Sequence, residues 1–142
     1  MKHRKHVLVL SAILISGLIV GCDQSAVKKA AQAADGFSIS VKALQQAEMV
    51  AHVQGLIDDA EHRDLEGYFL DVANTGLELD SAIRVAQSKP KAVEALQAAI
   101  ASLDRLLNQG VLHLKNPKAK EAMQALILSA KSFLATIAAL IG

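Results

Sequence analysis

Cysteine and aromatic residues are scarce in this chain of 142 residues, which has one cysteine, three phenylalanines, one tyrosine and no tryptophan. A single cysteine excludes a disulfide within the chain, so the folded part has to be stabilised by burial of apolar surface. Aromatic side chains cannot fill much of that core, whereas Ala, Leu, Ile and Val are abundant. Such a composition is typical of closely packed helices.

The sequence also lacks the short motifs of several enzyme and cofactor classes. It has no G-x-S-x-G nucleophile motif and no Gly-rich phosphate loop. It has neither the C-x-x-C-H motif of covalently bound haem nor the paired E-x-x-H motifs of a di-iron bundle. We therefore expect the protein to be no enzyme and to bind no cofactor.

The strongly basic surface that nucleic-acid-binding domains need is missing as well. The chain has 15 Lys and Arg against 14 Asp and Glu, and three of the basic residues, Lys2, Arg4 and Lys5, lie in the first 21 residues. Without those three, the rest of the chain carries a net charge of −2. We therefore exclude nucleic acid as the main partner.

The N-terminal segment has the order of parts found in secretory signals. The three basic residues are followed by residues 7–20, VLVLSAILISGLIV, which carry no charge. A helix of this length spans about 21 Å, whereas the hydrocarbon core of a membrane is roughly 30 Å thick. A cleaved signal is therefore favoured over a permanent membrane-spanning helix.

The residues at the end of this segment, Ile19-Val20-Gly21-Cys22, resemble the lipobox of bacterial lipoproteins. The resemblance implies that residues 1–21 are removed and that Cys22 becomes an N-terminus carrying fatty acyl chains such as palmitate. Two or more acyl chains anchor a protein stably to a membrane, whereas one chain does so only marginally. The alternatives are an ordinary thiol after another type of signal and an uncleaved anchor.

Asp23 and Gln24 resemble the signal that retains lipoproteins in the inner membrane of enterobacteria. Other lineages use different rules, so the outer membrane stays open as an alternative to the inner one. In either case we expect the protein at the cell membrane, lipid-anchored on the extracytoplasmic side.

The chain after the signal divides into a tether and one domain. Residues 22–36 are polar and Ala-rich, and we interpret them as a lipidated N-terminus and a partly helical tether that Gly36 interrupts. Lys28 and Lys29 in this tether are placed to contact anionic headgroups. Residues 37–142 are sufficient for one domain with a sizeable core but not for two.

Apolar residues in this domain recur at steps of three and four, which predicts four helices. The first runs from Phe37 to about Arg63, and the second follows it directly. Ser88 and Asn116, each followed by a proline within two residues, predict the N-caps of the third and fourth helices, and Gly110 predicts the end of the third. Short connections favour an all-α fold, an antiparallel four-helix bundle preceded by the signal helix and the tether.

The predicted core follows from the same spacing. On the second helix, Gly67 and Gly76 are expected to permit a close helix crossing. The predicted buried stripes are Ala43, Leu44, Ala47, Val50, Ala51, Val53 or Gln54, Ile57 and Ala60 on the first helix; Leu65, Phe69, Val72, Gly76, Leu79, Ile83 and Ala86 on the second; Val93, Leu96, Ile100, Leu103 and Leu107 on the third; and Met123, Leu126, Ile127, Ala130, Phe133, Leu134, Ile137 and Ile141 on the fourth.

The last predicted helix is unusually apolar, since Lys131 is the only charged residue between positions 122 and 141. A buried helix of the bundle is the favoured interpretation because many of the apolar residues are alanines. The alternatives are a second membrane span and an exposed contact face through Leu128, Ala135 and Ala139.

Charge is unevenly distributed along the domain. Residues 58–80 carry eight acidic residues against Arg63, a local net charge of −7, whereas residues 84–131 carry a net charge of +5. These stretches can pair with each other, or the acidic stretch can dock a basic partner. Within it, Asp58, His62 and Glu66 are spaced four residues apart on a continuing helix and are candidate ligands for a divalent cation.

These observations predict an exported, membrane-anchored lipoprotein whose helical domain is a binding or adaptor module for another protein of the cell envelope. The alternative is a helical carrier that binds a ligand or a divalent metal in the periplasm.

Overall fold

The computed structural model describes residues 5–85 and 88–142, with side chains from residue 24 onward. All regular elements in this part of the chain are helices, as the composition predicted. The four α-helices are α1 (Lys5–Val53), α2 (Asp59–Arg84), α3 (Lys89–Arg105) and α4 (Pro117–Ile141). A π-helical turn, Leu106–Gly110, and a 3₁₀ turn, Val111–His113, follow α3 and lead towards α4.

Helices α1 and α2 are separated at residues 54–58, where the sequence analysis predicted that a helix continues. That prediction is wrong because Gly55 adopts a φ of 70°, in the left-handed region. The N–H of Leu56 donates to the carbonyl of Ala51 at 2.8 Å, and the N–H of Gly55 donates to the carbonyl of His52 at 2.9 Å. This pair of bonds is the Schellman motif, which ends helices at a glycine.

Helix α2 starts with a capping box immediately after this turn. The carboxylate of Asp58 accepts hydrogen bonds from the backbone N–H groups of Ala60 at 3.0 Å and Glu61 at 2.9 Å. The Glu61 carboxylate in turn accepts from the Asp58 N–H at 2.9 Å. These bonds satisfy donors that the start of a helix leaves without intrahelical partners. The chain therefore breaks here because of local signals on both sides of the turn.

The predicted N-caps of α3 and α4 are confirmed. The Ser88 hydroxyl accepts from the backbone N–H three residues on at 3.4 Å, and Pro90 lies in the first turn. Asn116 Oδ1 accepts from two N–H groups of the first turn at 3.0 and 3.2 Å, and Pro117 is the first helical residue. Proline costs nothing at these positions because its missing N–H would have no intrahelical partner.

The buried side chains form one apolar cluster, in which α1 packs against α4 and α2, and α3 packs against α2 and α4. Burying one large aliphatic or aromatic side chain contributes about 1.5–3 kcal/mol. Six of the seven stripe residues predicted on α2 are buried, and the seventh, Ala86, lies outside the described residues. Fully buried large side chains include Phe37, Leu44, Leu65, Leu79, Leu103, Leu106, Met123, Ile127, Leu134 and Ile137.

On α1 the buried stripe includes Leu44 and Ala51, as predicted. The prediction is wrong at Val50, at Val53 or Gln54, and at Ala60 in the first turn of α2, all of which are exposed. On α3 the prediction is correct at Leu96 and Leu103 and wrong at Ile100, which is exposed. The three- and four-residue spacing alone does not show whether Val50 and Ile100 or the smaller residues beside them face the core. On α3 it is the small Ala92 and Ala99 that lie in the core.

Gly110 does not end α3 in the predicted way. Its φ is −103° and it is buried in the π-helical turn. A Cβ at this position would lie 2.9 Å from Leu65 Cδ2 and 3.1 Å from Tyr68 Cδ2, so packing against α2 favours glycine here. Close packing is also confirmed at Gly76, where a Cβ would lie 2.9 Å from Phe37 Cε1, but not at Gly67, where it would contact nothing within 4 Å.

The predicted tether, residues 22–36, is helical and continuous with the rest of α1. Gly36 does not interrupt the helix, and it packs against the ring of Phe133 on α4. Ala30, Ala33 and Ala34 are buried in the core, so the packed part of the domain begins before residue 37.

Helix α4 is long and apolar enough to cross a membrane, judged by length and composition among the described residues. One face of it is buried in the core and includes Met123, Ile127 and Leu134. The predicted contact face lies opposite and is exposed, with Leu128 65% accessible. Packing against α1 therefore accounts for the apolar character of the buried face.

Candidate functional site

The lipobox residues Ile19, Val20, Gly21 and Cys22, together with Asp23, lie outside the residues whose side chains the structure describes. Gln24, the second residue of the sorting resemblance, is described and is exposed on α1. The predicted lipidation site therefore stays a prediction, based on the sequence.

Two histidines and three acids meet where α1 ends and α2 begins. We call this group, Glu48, His52, Asp59, His62 and Glu66, the His–acid cluster. The imidazole rings of His52 and His62 are stacked, with centroids 4.1 Å apart and planes inclined by 8°. Each ring is held by a carboxylate, since His52 Nε2 lies 2.9 Å from Asp59 Oδ1 and His62 Nδ1 lies 2.5 Å from Glu48 Oε1.

Glu48 is the buried member of the cluster, with a side chain that is only 6% exposed. A carboxylate removed from water needs a hydrogen-bonded or charged partner, and His62 provides it. The hydrogen bond from His62 to Glu48 raises the pKa of the imidazole above its usual 6.5, and the nearby Glu66, at 3.6 Å from Nε2, acts in the same direction. The hydrogen bond from His52 lowers the pKa of Asp59.

Asp58, the first of the predicted metal ligands, has other roles. Its carboxylate caps α2 and pairs with the Lys115 ammonium at 2.5 Å, and this hydrogen bond, with those from the backbone of the first turn, lowers its pKa to about 2. Glu61 accepts from the Lys115 backbone N–H at 2.8 Å. These bonds connect the α1–α2 turn to the segment before α4.

The structure brings two of the three predicted metal ligands, His62 and Glu66, within 3.6 Å of each other. Among the residues with described side chains, no group of three His, Cys, Asp or Glu is arranged to hold a metal ion. The contacts observed in the cluster pair each imidazole with a carboxylate and join the end of α1 to the start of α2.

The acidic stretch 58–80 and the basic stretch 84–131 pair with each other at several points. Arg105 contacts Asp71 at 2.5 Å and Lys115 contacts Asp58 at the same distance, while Arg84 contacts Asp80 at 2.7 Å. Because these acids have internal partners, the surface available to a basic partner is narrower than the sequence indicates. Asp59 and Glu66, near the start of α2, lie beside histidines but stay accessible to solvent, with side chains 91% and 63% exposed.

An exposed apolar group lies at the same end of the domain. Met49, Val50 and Val53, in the last turns of α1, are exposed, and Val53 is 82% accessible. Exposed apolar groups bordered by charge mark interaction surfaces. We call these three residues together with Asp59 and Glu66, whose carboxylates lie beside the stacked histidines, the junction surface.

Glu48 and Lys115 were not predicted from the sequence as parts of this site. Glu48 falls between Leu44 and Ala51 on the buried stripe of α1. A single acidic residue on an apolar helix face was the one feature of the sequence that indicated a buried charge. Its partner His62 is distant in sequence and is brought near only by the turn at Gly55.

No protein-family model matches the chain, and no curated protein and no solved structure was found to be similar to it. Its function is therefore inferred from the N-terminal motif and from the geometry of the domain.

Proposed function

We propose that the protein is an exported lipoprotein, anchored through Cys22 to the extracytoplasmic side of the cell membrane. The observation that carries this proposal is the sequence Ile19-Val20-Gly21-Cys22, which places the only cysteine directly after a basic and then apolar signal segment. Asp23 and Gln24 favour retention in the inner membrane.

Anchoring is tested by growing producing cells with an alkyne analogue of palmitate. The wild-type chain is expected to take up the label and the Cys22→Ser chain to lose it. Ser25→Ala, which leaves the lipobox intact, serves as the matched control. Equal labelling of Cys22→Ser and wild type would refute lipidation at this residue.

We also propose that the four helices form an antiparallel bundle. The contacts between α1 and α2 support this arrangement, because Glu48, late in α1, meets His62, early in α2, whereas Asp35 meets Arg84 at the end of α2. Lys131 of α4 contacts Asp104 of α3 at 2.5 Å. The junction surface then lies at the end of the domain opposite the anchor, since residues 24–53 of α1 extend roughly 45 Å at 1.5 Å per residue.

The domain acts, on this proposal, as a binding module that presents the junction surface to a basic protein of the cell envelope. The apolar side chains supply contact area, and the acidic ones supply charge complementarity and orientation. Tethering keeps the module at a high effective concentration near partners at the membrane.

This role is tested by placing a photo-crosslinking amino acid at position 53 in the protein expressed in its native cells. A discrete crosslinked partner is expected, and Asp59→Lys with Glu66→Lys should abolish it. Glu94→Lys, at an exposed position of α3, is the matched control and should leave it intact. Crosslinking that is unaffected by the two reversals would refute the junction surface as the docking site.

A further inference from the structure

A cavity of about 620 Å³ lies at the end of the domain next to the anchor. It is open to solvent on one side and is lined by the first described turns of α1, the end of α2, the start of α3 and the end of α4. Its apolar wall includes Ala30, Ile83, Ala92, Leu140 and Ile141. Its volume falls in the range of roughly 300–1,000 Å³ that is usual for small-molecule sites.

The charged residues among the described lining of this cavity are both basic. They are Lys28 and Lys89. The Lys89 ammonium donates to the carbonyl oxygen of Gly142 at 2.6 Å, which positions it at the cavity wall. Lys28 is exposed, and Gln24 and Ser88 add uncharged polar groups. An apolar interior with cationic residues fits an amphiphile that has an apolar tail and an anionic head.

The position of the cavity indicates where such an amphiphile would come from. Gln24 lines the cavity and follows Cys22 by two residues. If Cys22 is anchored, this end of the domain lies at the membrane surface, where lipids are the most abundant anionic amphiphiles. Lysines at such a surface attract anionic headgroups.

We propose that the cavity binds one acyl chain of an anionic phospholipid of the membrane, with the headgroup held by Lys28 and Lys89. The membrane as the source of this lipid depends on the proposed anchoring at Cys22. The bound lipid orients the domain, because it fixes a second point of attachment beside the anchor.

The test uses the mature lipidated protein, which begins at Cys22, in nanodiscs of phosphatidylcholine that contain phosphatidylglycerol with a photoreactive acyl chain. After illumination, labelled peptides are identified by mass spectrometry. Labelling is expected at the start of α3 and the end of α4, above the level at the exposed Leu128. Ala92→Trp, which fills the cavity, should reduce labelling to that level. If Ala92→Trp and the wild type are labelled equally, the proposal is overturned, because the labelling then shows only that α4 touches the bilayer.

A second variant keeps the test decisive if Ala92→Trp does not fold. Lys28→Glu changes an exposed side chain and should remove the preference for the phosphatidylglycerol probe over a matching phosphatidylcholine probe. Lys118→Glu, at the start of α4, is the control and should retain that preference. An unchanged preference in Lys28→Glu would overturn the role of this lysine in holding the headgroup.

The Cys22→Ser chain separates this inference from the proposed anchoring. The chain is still held in the nanodisc by its apolar N-terminal segment, so crosslinking can be measured whether or not lipidation occurs. Labelling in both chains supports a membrane lipid as the occupant. Labelling that appears only in Cys22→Ser would show that the protein's own acyl group fills the cavity, and would overturn the proposal.

Discussion

His62 Nδ1 lies 2.5 Å from Oε1 of Glu48, and this contact joins the first turns of α2 to a buried acid on α1. The two residues are brought together by the Schellman turn at Gly55 and by the capping box that starts α2. Removing either partner leaves the other without its charge-assisted hydrogen bond, and the loss is greater for Glu48 because it is the more deeply buried.

The first prediction concerns the pH dependence of stability. Because Glu48 raises the pKa of His62 above 6.5, this pair stabilises the fold fully below about pH 6.5, and its contribution is lost as pH rises through the folded-state pKa. The urea midpoint of the wild type should therefore be higher at about pH 5.5 than at about pH 8.5. His62→Gln should have a lower midpoint at the acidic pH and a weaker pH dependence.

His113→Gln is the matched control for this experiment, since His113 is exposed in the 3₁₀ turn after α3. This variant should keep the pH dependence of the wild type. A dependence that survives in His62→Gln and disappears in His113→Gln would contradict the assignment.

The second prediction compares two glycines inside α2. Replacing glycine by alanine in an exposed helix gains about 1 kcal/mol, so Gly67→Ala, which contacts nothing within 4 Å, should be stabilising by about that amount. At Gly76 the new methyl group would press on the buried ring of Phe37, and overpacking costs about 1–3 kcal/mol. Gly76→Ala should therefore be less stable than Gly67→Ala in urea unfolding. Equal stabilities would show that α1 and α2 are not closely packed at this point.

The third prediction concerns the packing of α4. Ile127 is fully buried, and Ile127→Ala should destabilise the fold by about 2–5 kcal/mol through lost contacts and the cavity left behind. The adjacent Leu128 is exposed, so Leu128→Ala should change stability by no more than about 0.5 kcal/mol. Chemical denaturation of both variants measures the difference. Similar effects at the two positions would argue that this face of α4 is not buried in the domain.

Features that depend on neighbouring residues could be predicted from the sequence. The caps at Ser88 and Asn116 need only a side-chain oxygen and the next few N–H groups, and both are present. The stripe of α2 was predicted because its large apolar residues keep one helical spacing and have few competitors. The break before α2 also had a local signal, because Gly55 is followed by Asp58 and Glu61, the pattern of a capping box.

Features that depend on contacts between helices could not be predicted in this way. The spacing on α3 does not decide between Ile100 and Ala99, since the choice depends on how closely α2 and α4 approach. Gly110 was interpreted through its backbone freedom, whereas the structure uses its small size against Leu65. The pairing of Glu48 with His62 likewise depends on the direction in which the chain leaves the turn.

The measurement that tests the central claim most directly is the mass of the N-terminal peptide of the protein isolated from membranes of producing cells. Lipoprotein processing predicts a peptide that begins at Cys22 and carries fatty acyl groups. It also predicts that Cys22→Ser keeps residues 1–21 and carries none. A wild-type peptide that still begins at Met1, or a Cys22→Ser chain cut at the same place, would contradict the account.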